Sequence, residues 1–221
     1  KPSVSDDSFK GVASLDALKR VLNQSNWLNY RDISHYKYIV YQQLYQAFCQ
    51  QHLDVNTPRA RLFKQFVCEQ GAALNQFCQH QSAAQKCNRD EPQFFAYLQF
   101  IAEQQLAQCQ LHAKQLQMSI GLVRDLAVGV SADSCEVASQ PELFCTHASI
   151  GAPPDEFAPQ GQNWGLTPFD PIALKSTGYR HFIDLLRSNM QSCGALRIDH
   201  VMSLLRLWWW PLSKTLGNGA Y

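Results

Sequence analysis

Residues 194–211 read GALRIDHVMSLLRLWWWP, an apolar run broken by Arg197, Asp199 and His200 and closed by Trp208, Trp209, Trp210 and Pro211. Burying an unpaired charge is costly, so the charges need a reason. The short apolar run after Gly194, ALRIDHV, reads as a strand. Residues two apart on a strand face the same side, so Arg197 and Asp199 project together while Ile198 points the other way. Two readings stand at this point. A charged pair at the C-terminal end of a parallel strand is where α/β barrels keep their active sites. Alternatively, Arg197 and Asp199 form a buried salt bridge in which each only satisfies the other, although such pairs are poor sources of stability. His200 opens the loop side, where it either meets a polar ligand or is satisfied by its own surroundings. The three tryptophans cannot share one face, so at least one belongs to the core, while another could stack on a sugar ring.

Upstream of this strand, Ser176 or Thr177 is expected to cap a helix whose apolar face is Phe182, Ile183, Leu186 and Met190. Further upstream, IGLVRDLAVGV at residues 120–130 reads as a buried strand that passes into a loop at Gly129. Strand, long loop, helix and strand form the pattern of a βαβ unit in an α/β barrel or an open α/β sheet.

Between the two strands, residues 139–171 are punctuated by glycine and proline, most densely in GAPPDEFAPQGQNWGLTPFDP. That composition predicts no continuous helix or strand. Loops of this length in compact domains tend to carry function. Asp155, Gln162, Asn163 and Trp164 lie within it. Polar groups beside a flat aromatic suit a carbohydrate, which offers hydroxyls at its edge and C–H groups on its face. A loop that is merely well packed would look the same.

From Ser14 to about Lys114 a helical period dominates. Ser14 ahead of Leu15, Leu18, Val21 and Leu22, and Thr57-Pro58 ahead of Leu62, Phe63, Phe66 and Val67, read as helix starts. A third helix is expected from Asp90-Glu91-Pro92, with Phe95, Leu98, Ala102, Leu106, Cys109 and Ala113 as one buried stripe. This half reads as a helical bundle with core aromatics and no catalysis.

Composition narrows the class. The chain has 221 residues, 46% of them hydrophobic, enough for a substantial core in one or two domains. Nineteen Lys and Arg against eighteen Asp and Glu, without a sustained basic run, argue against a nucleic-acid partner. No stretch approaches the roughly 20 apolar residues of a membrane span, and no signal peptide opens the chain, so the expected setting is cytoplasmic. The eight cysteines are scattered singly, which predicts free buried thiols and no metal site. The chain begins without methionine and stops at GNGAY, which reads as a piece of a longer protein.

Together, IGLVRDLAVGV, ASIGAPPDEFAPQGQNWG, LLRSNMQSCGALRIDHVMSLLRLWWWP and the closing GAY strongly resemble the 4-alpha-glucanotransferase family, also called amylomaltase or disproportionating enzyme, in its enterobacterial maltodextrin type. The resemblance is dense from about Ser119 to Tyr221. It is looser in the helical half, where WLNY at residues 27–30 and FKQFVCEQG at residues 63–71 carry it.

The resemblance implies an α/β fold: a segment of an α-amylase-like (β/α)8 TIM-type barrel with a large helical insertion subdomain. Residues 1–115 would be the insertion and residues 116–221 part of the catalytic barrel, with a substrate-covering loop at about 149–171. It implies transfer of alpha-1,4-glucan segments between maltodextrins with retention of configuration, no cofactor and no metal. Retention calls for two carboxyl groups about 5 Å apart on opposite sides of the bond. By motif, Asp199 would be the nucleophile, Arg197 would orient it, and His200 would bind hydroxyls of the adjoining glucose. Asp155, Gln162 and Trp164 fall on the loop beside the acceptor glucan, and Asp133, in VSADS, on an acidic active-site position of some members.

The family's proton-donating glutamate lies on a later strand, so this piece alone is expected to be inactive. Its unpaired sheet edges would favour self-association. Two other readings use the same residues: a non-catalytic carbohydrate-binding module, and a retaining alpha-glucan hydrolase.

Overall fold

A computed structural model of the chain describes residues 20, 22–24, 26–84, 92–212 and 219–221. It divides into two compact units, Lys1–Glu69 and Gln70–Tyr221.

The described part of the first unit is helical. Helix α1 spans Tyr30–Phe48 and starts where the Asn29 side chain accepts from the Asp32 amide at 3.2 Å. A π-helical turn, Cys49–Leu53, follows it. Helix α2, Pro58–Ala84, begins in this unit at the expected Thr57-Pro58 and ends in the second, where Gly71 (φ 58°, ψ −136°) interrupts it. Of the apolar residues that follow this start, Phe63 is buried, edge-to-face against Phe48 at 5.5 Å, whereas Leu62 and Val67 are exposed. The helix start expected at Ser14 lies outside the described residues.

In the second unit, helix α3 spans Pro92–Gln115; Asp90 and Glu91 lie outside the described residues. Its buried residues are Phe94, Phe95, Ala96, Tyr97, Phe100 and Ala113. The expected single stripe is corrected: Ala102 and Cys109 are exposed, because burial is concentrated in the first turns and not carried along one face. Farther along, Gln110 fastens α3 to the following chain. Its Oε1 accepts from the Leu122 amide at 2.7 Å and its Nε2 donates to the Ile120 carbonyl at 3.2 Å.

Strand β1 is Val123–Leu126 and strand β5 is Ala195–Ile198; they pair in parallel, Val123 opposite Ala195 through Leu126 opposite Ile198. The predicted βαβ relation is therefore present. Its helix, α6, is Arg180–Asn189. Arg124 donates to the Ser188 carbonyl at 3.1 Å and the Gln191 carbonyl at 3.4 Å, a cation on the acceptors at the C-terminal end of α6.

Two expectations about this unit change. β1 is not a buried strand: Val123 is 58% exposed and only Leu126 is buried, since β5 is its one strand neighbour among the described residues. Nor do Ser176 and Thr177 cap α6. Asp170 caps the short helix α5, Pro171–Ser176, accepting from the Ile172 and Ala173 amides, and Ser176 and Thr177 close that helix.

The stretch expected to be irregular holds a sheet. Strand β2, Val130–Ser131, leads through the short helix α4, Cys135–Ser139, to β3, Ala148–Ala152, and β4, Gln162–Thr167. With β6, Trp208–Pro211, they form an antiparallel sheet in the order β2-β4-β3-β6. Glycine here serves the strands and does not end them. Gly161 takes φ 74° where the chain turns into β4, and a side chain on Gly151, beside the irregularity in the β3–β4 register, would collide with the Gln162 carbonyl and the Trp210 ring.

Val137, Leu143 and Phe144 form a buried cluster against Val130, Phe169 and Ala173. The closing GAY folds back, with Ala220 and Trp209 exchanging both backbone hydrogen bonds at 2.7 and 3.0 Å.

Candidate active site

The ends of β1 and β5 gather three charges. Asp125 and Arg197 are direct partners in the parallel register, and Asp199 follows two residues later, its amide donating to the Leu126 carbonyl at 3.3 Å. Side chains at these positions share one side of the strand pair. Nη2 of Arg197 donates to Asp199 Oδ1 at 2.8 Å, and Nη1 donates to Asp125 Oδ2. The arginine pKa is raised above its ordinary value, first by the hydrogen bond to Asp125, then by the charges of Asp125 and Asp199.

The expected Arg197–Asp199 pair is therefore present, but it is not a buried one. The two side chains are 58% and 46% exposed. Both carboxylates also border a cleft of about 810 Å³ whose walls include Leu126, Ile198, Tyr179 and Trp209.

His200 takes a left-handed backbone, φ 48° and ψ 52°, at the start of the short 3-10 turn Val201–Leu204. That conformation is uncommon for a residue with a Cβ and is found where surrounding structure holds it. The His200 ring meets the Trp164 ring edge-on, with centroids 5.0 Å apart and planes at 85°.

A chain of hydrogen bonds holds Trp164 in turn. Its Nε1 donates to Gln162 Oε1 at 3.0 Å, while the Gln162 carbonyl accepts from Trp210 Nε1 at 2.7 Å. Asn163, itself exposed, accepts from the buried Ser149 hydroxyl at 2.7 Å and from the Gly165 amide at 2.9 Å. All three tryptophans of 208–210 are half-buried. Trp208 and Trp210 meet edge-to-face at 6.4 Å, and Trp209 lies opposite Ile150 in the ladder.

Two acidic candidates are engaged locally. Asp155 Oδ1 accepts from the amides of Phe157 at 2.9 Å and Ala158 at 2.6 Å, closing a turn at the tip of the β3–β4 connection. Asp133 accepts from the Ser131 hydroxyl, which holds its carboxyl below the ordinary value. Neither makes a hydrogen bond or ion pair with Arg197, Asp199 or His200 among the described residues.

Sequence reasoning missed Asp125. A signal was present: the adjacent charges Arg124 and Asp125 interrupt an otherwise apolar strand, and alternation sends them to opposite faces, one to α6 and one to Arg197.

Among the described residues, the cysteines with assigned geometry are free, but only Cys78 is buried, so the expectation of buried thiols holds for one of them. No described group of three or more His, Cys, Asp or Glu side chains is placed to hold a metal ion, and no described helix is long and apolar enough to cross a membrane.

A mixed helix-and-sheet fold that presents an arginine-braced aspartate at the end of a parallel strand matches one family model, described as 4-alpha-glucanotransferase, over residues 79–221. The chain belongs to that family. A 4-alpha-glucanotransferase of Haemophilus influenzae is 51% identical over 148 residues, 65% of this chain and 21% of the relative. One from Mycobacterium tuberculosis is 37% identical over 132 residues, 60% of this chain and 18% of the relative. The chain thus spans about a fifth of the length of these curated relatives.

Among solved structures, amylomaltase from Corynebacterium glutamicum superposes with a TM-score of 0.66 at 33% identity, covering 73% of this chain and 24% of that one. Amylomaltase from Streptococcus agalactiae, solved with acarbose, has a TM-score of 0.75 over 98% of this chain and 48% of its own; at 20% identity it speaks to the fold alone.

Proposed function

We propose that the chain is part of an enzyme that transfers alpha-1,4-glucan segments between maltodextrins, and that it supplies the nucleophile, Asp199. The observation that carries this reading is the placement of Asp199: a half-exposed carboxylate at the end of a parallel strand, with one oxygen held by Arg197 and its other oxygen, Oδ2, without a hydrogen-bond donor among the described residues.

A carboxylate in that state can attack an anomeric carbon. The bond from C1 to the departing glucan oxygen breaks as the bond to Asp199 forms, and the departing oxygen takes a proton from an acid. In the second step the 4-hydroxyl of an acceptor glucan displaces Asp199 and returns its proton to the conjugate base of that acid. The acid must approach from the opposite side of the glycosidic bond. Asp125 shares Arg197 and the same face with Asp199, so it does not fit that part, and the acid is assigned to a portion of the longer protein outside these residues.

In this reading Arg197 orients the nucleophile, and His200 binds hydroxyls of the glucose at the scissile bond. Trp164, Gln162 and Asp155 bind beside the acceptor on the covering loop, and Asp133 takes the acidic active-site position found in some members of the family. Residues 1–115 serve as the helical insertion and residues 116–221 as part of a (β/α)8 barrel. No cofactor is needed.

Incubation of the full-length protein with maltotriose, followed by separation of products, tests the proposal. Glucose and longer maltodextrins should accumulate together; glucose with maltose and no longer product would make it a hydrolase. The 221-residue chain alone should show no turnover. It should also self-associate. β1 and β5 each have one strand partner among the described residues, and Leu205, 91% exposed, lies beside exposed Val201 and Leu204.

A further inference from the structure

We propose that Asp125 is a positioning residue that acts on Asp199 through Arg197, fixing one arm of the guanidinium so that the other is aimed at the nucleophile. The inference rests on the reading of Asp199 as nucleophile.

Strand register puts the parts in place. Asp125 lies directly opposite Arg197 on the neighbouring strand, and Asp199 is two residues beyond Arg197 on the same side. The two carboxylates occupy different terminal nitrogens of one planar guanidinium, Asp125 on Nη1 and Asp199 on Nη2. An arginine held by one carboxylate can still swing about its long side chain and carry that carboxylate with it. An arginine held at both terminal nitrogens has its plane fixed, because rotation that keeps one bond breaks the other.

Charge argues the same way. The cation stands between two anions, so the three groups together carry one negative charge and Asp199 is oriented without being neutralised by a cation of its own. The arginine pKa is raised by its hydrogen bond to Asp125 and by the charges of Asp125 and Asp199, so both carboxylates favour the charged guanidinium that joins them. The opposite face of β1 is pinned independently, where Arg124 holds the end of α6.

Asp125→Asn keeps the shape and removes the charge; Asp125→Glu keeps the charge and lengthens the arm. Both are made in the full-length protein, with Arg197→Ala and the Asp125→Asn/Arg197→Ala double variant, and thermal unfolding is measured for each. Formation of the glycosyl-enzyme is followed with a slow fluorinated maltosyl donor, and kcat and KM with maltotriose.

Asp125→Asn should slow glycosyl-enzyme formation and kcat by about 10- to 100-fold with KM changed less than about threefold, and Asp125→Glu should recover part of the loss. In the Arg197→Ala background the same change should cost less than about twofold, because the path through which Asp125 acts is gone. A wild-type rate in Asp125→Asn, or losses that multiply in the double variant, would overturn the proposal. Asp199→Asn separates the two levels: if it stays active, the nucleophile reading fails; if it is dead while Asp125→Asn is normal, only the positioning role fails.

Discussion

Arg197 Nη2 stands 2.8 Å from Asp199 Oδ1, and the rest of the same guanidinium is engaged by Asp125. Lysine brings a single ammonium that cannot hold two carboxylates in one plane. Arg197→Lys in the full-length protein should lower kcat about 100-fold while the circular dichroism spectrum is unchanged. Activity within a factor of two of wild type would show that the fork geometry is dispensable.

Trp164 and His200 meet edge-on at 5.0 Å, joining the β4 side of the antiparallel sheet to the end of β5. If Trp164 is part of the glucan-binding wall, Trp164→Ala should raise KM for maltotriose about tenfold, the scale of one lost aromatic contact. His200→Asn preserves a residue that tolerates a left-handed backbone, so any loss there reports the imidazole itself. Steady-state kinetics of both variants at saturating and limiting maltotriose give the answer.

Ile150 is 1% exposed on β3 and lies opposite Leu166 and Trp209 in the sheet that carries Trp164. Ile150→Ala should destabilise by about 2–5 kcal/mol through lost burial and the cavity left behind. Urea unfolding monitored by tryptophan fluorescence measures it, and a midpoint unchanged from wild type would contradict this account of the core.

Burial pushes the Cys78 thiol up to about 11 from its ordinary 9.0, with the charge of Cys135 adding to the shift. The native state therefore holds this proton more tightly than the unfolded chain does. The stability it contributes is complete below about pH 9 and is lost as pH rises through 11. At pH 8, alkylation read by mass spectrometry should modify exposed Cys68 and Cys109 well before Cys78. Equal labelling of all three would refute the burial.

The parallel pairing of β1 and β5 and the shared face of Arg197 and Asp199 were legible in the sequence because both depend on local signals: short apolar runs around a helical segment, and a period of two. The β3–β4 hairpin was not. Gly151 and Gly161, which look like strand breakers, are needed where backbones approach and where the chain turns, and β3 gains order by pairing with β6, more than 50 residues away in sequence. Asp125 was hidden for a related reason. An aspartate inside an apolar run declares itself functional only when the register shows that its partner is Arg197. The same non-local geometry showed that the expected salt bridge is exposed and shared by two carboxylates.

The central claim is that Asp199 forms a covalent bond to glucan. Full-length protein is incubated with a slow fluorinated maltosyl donor, digested with protease and sequenced by tandem mass spectrometry. A maltosyl adduct on Asp199, relieved by added acceptor glucan with release of the longer product, is the result predicted. An adduct on another carboxylate, or turnover of the donor in an Asp199→Asn variant at the wild-type rate, would contradict it.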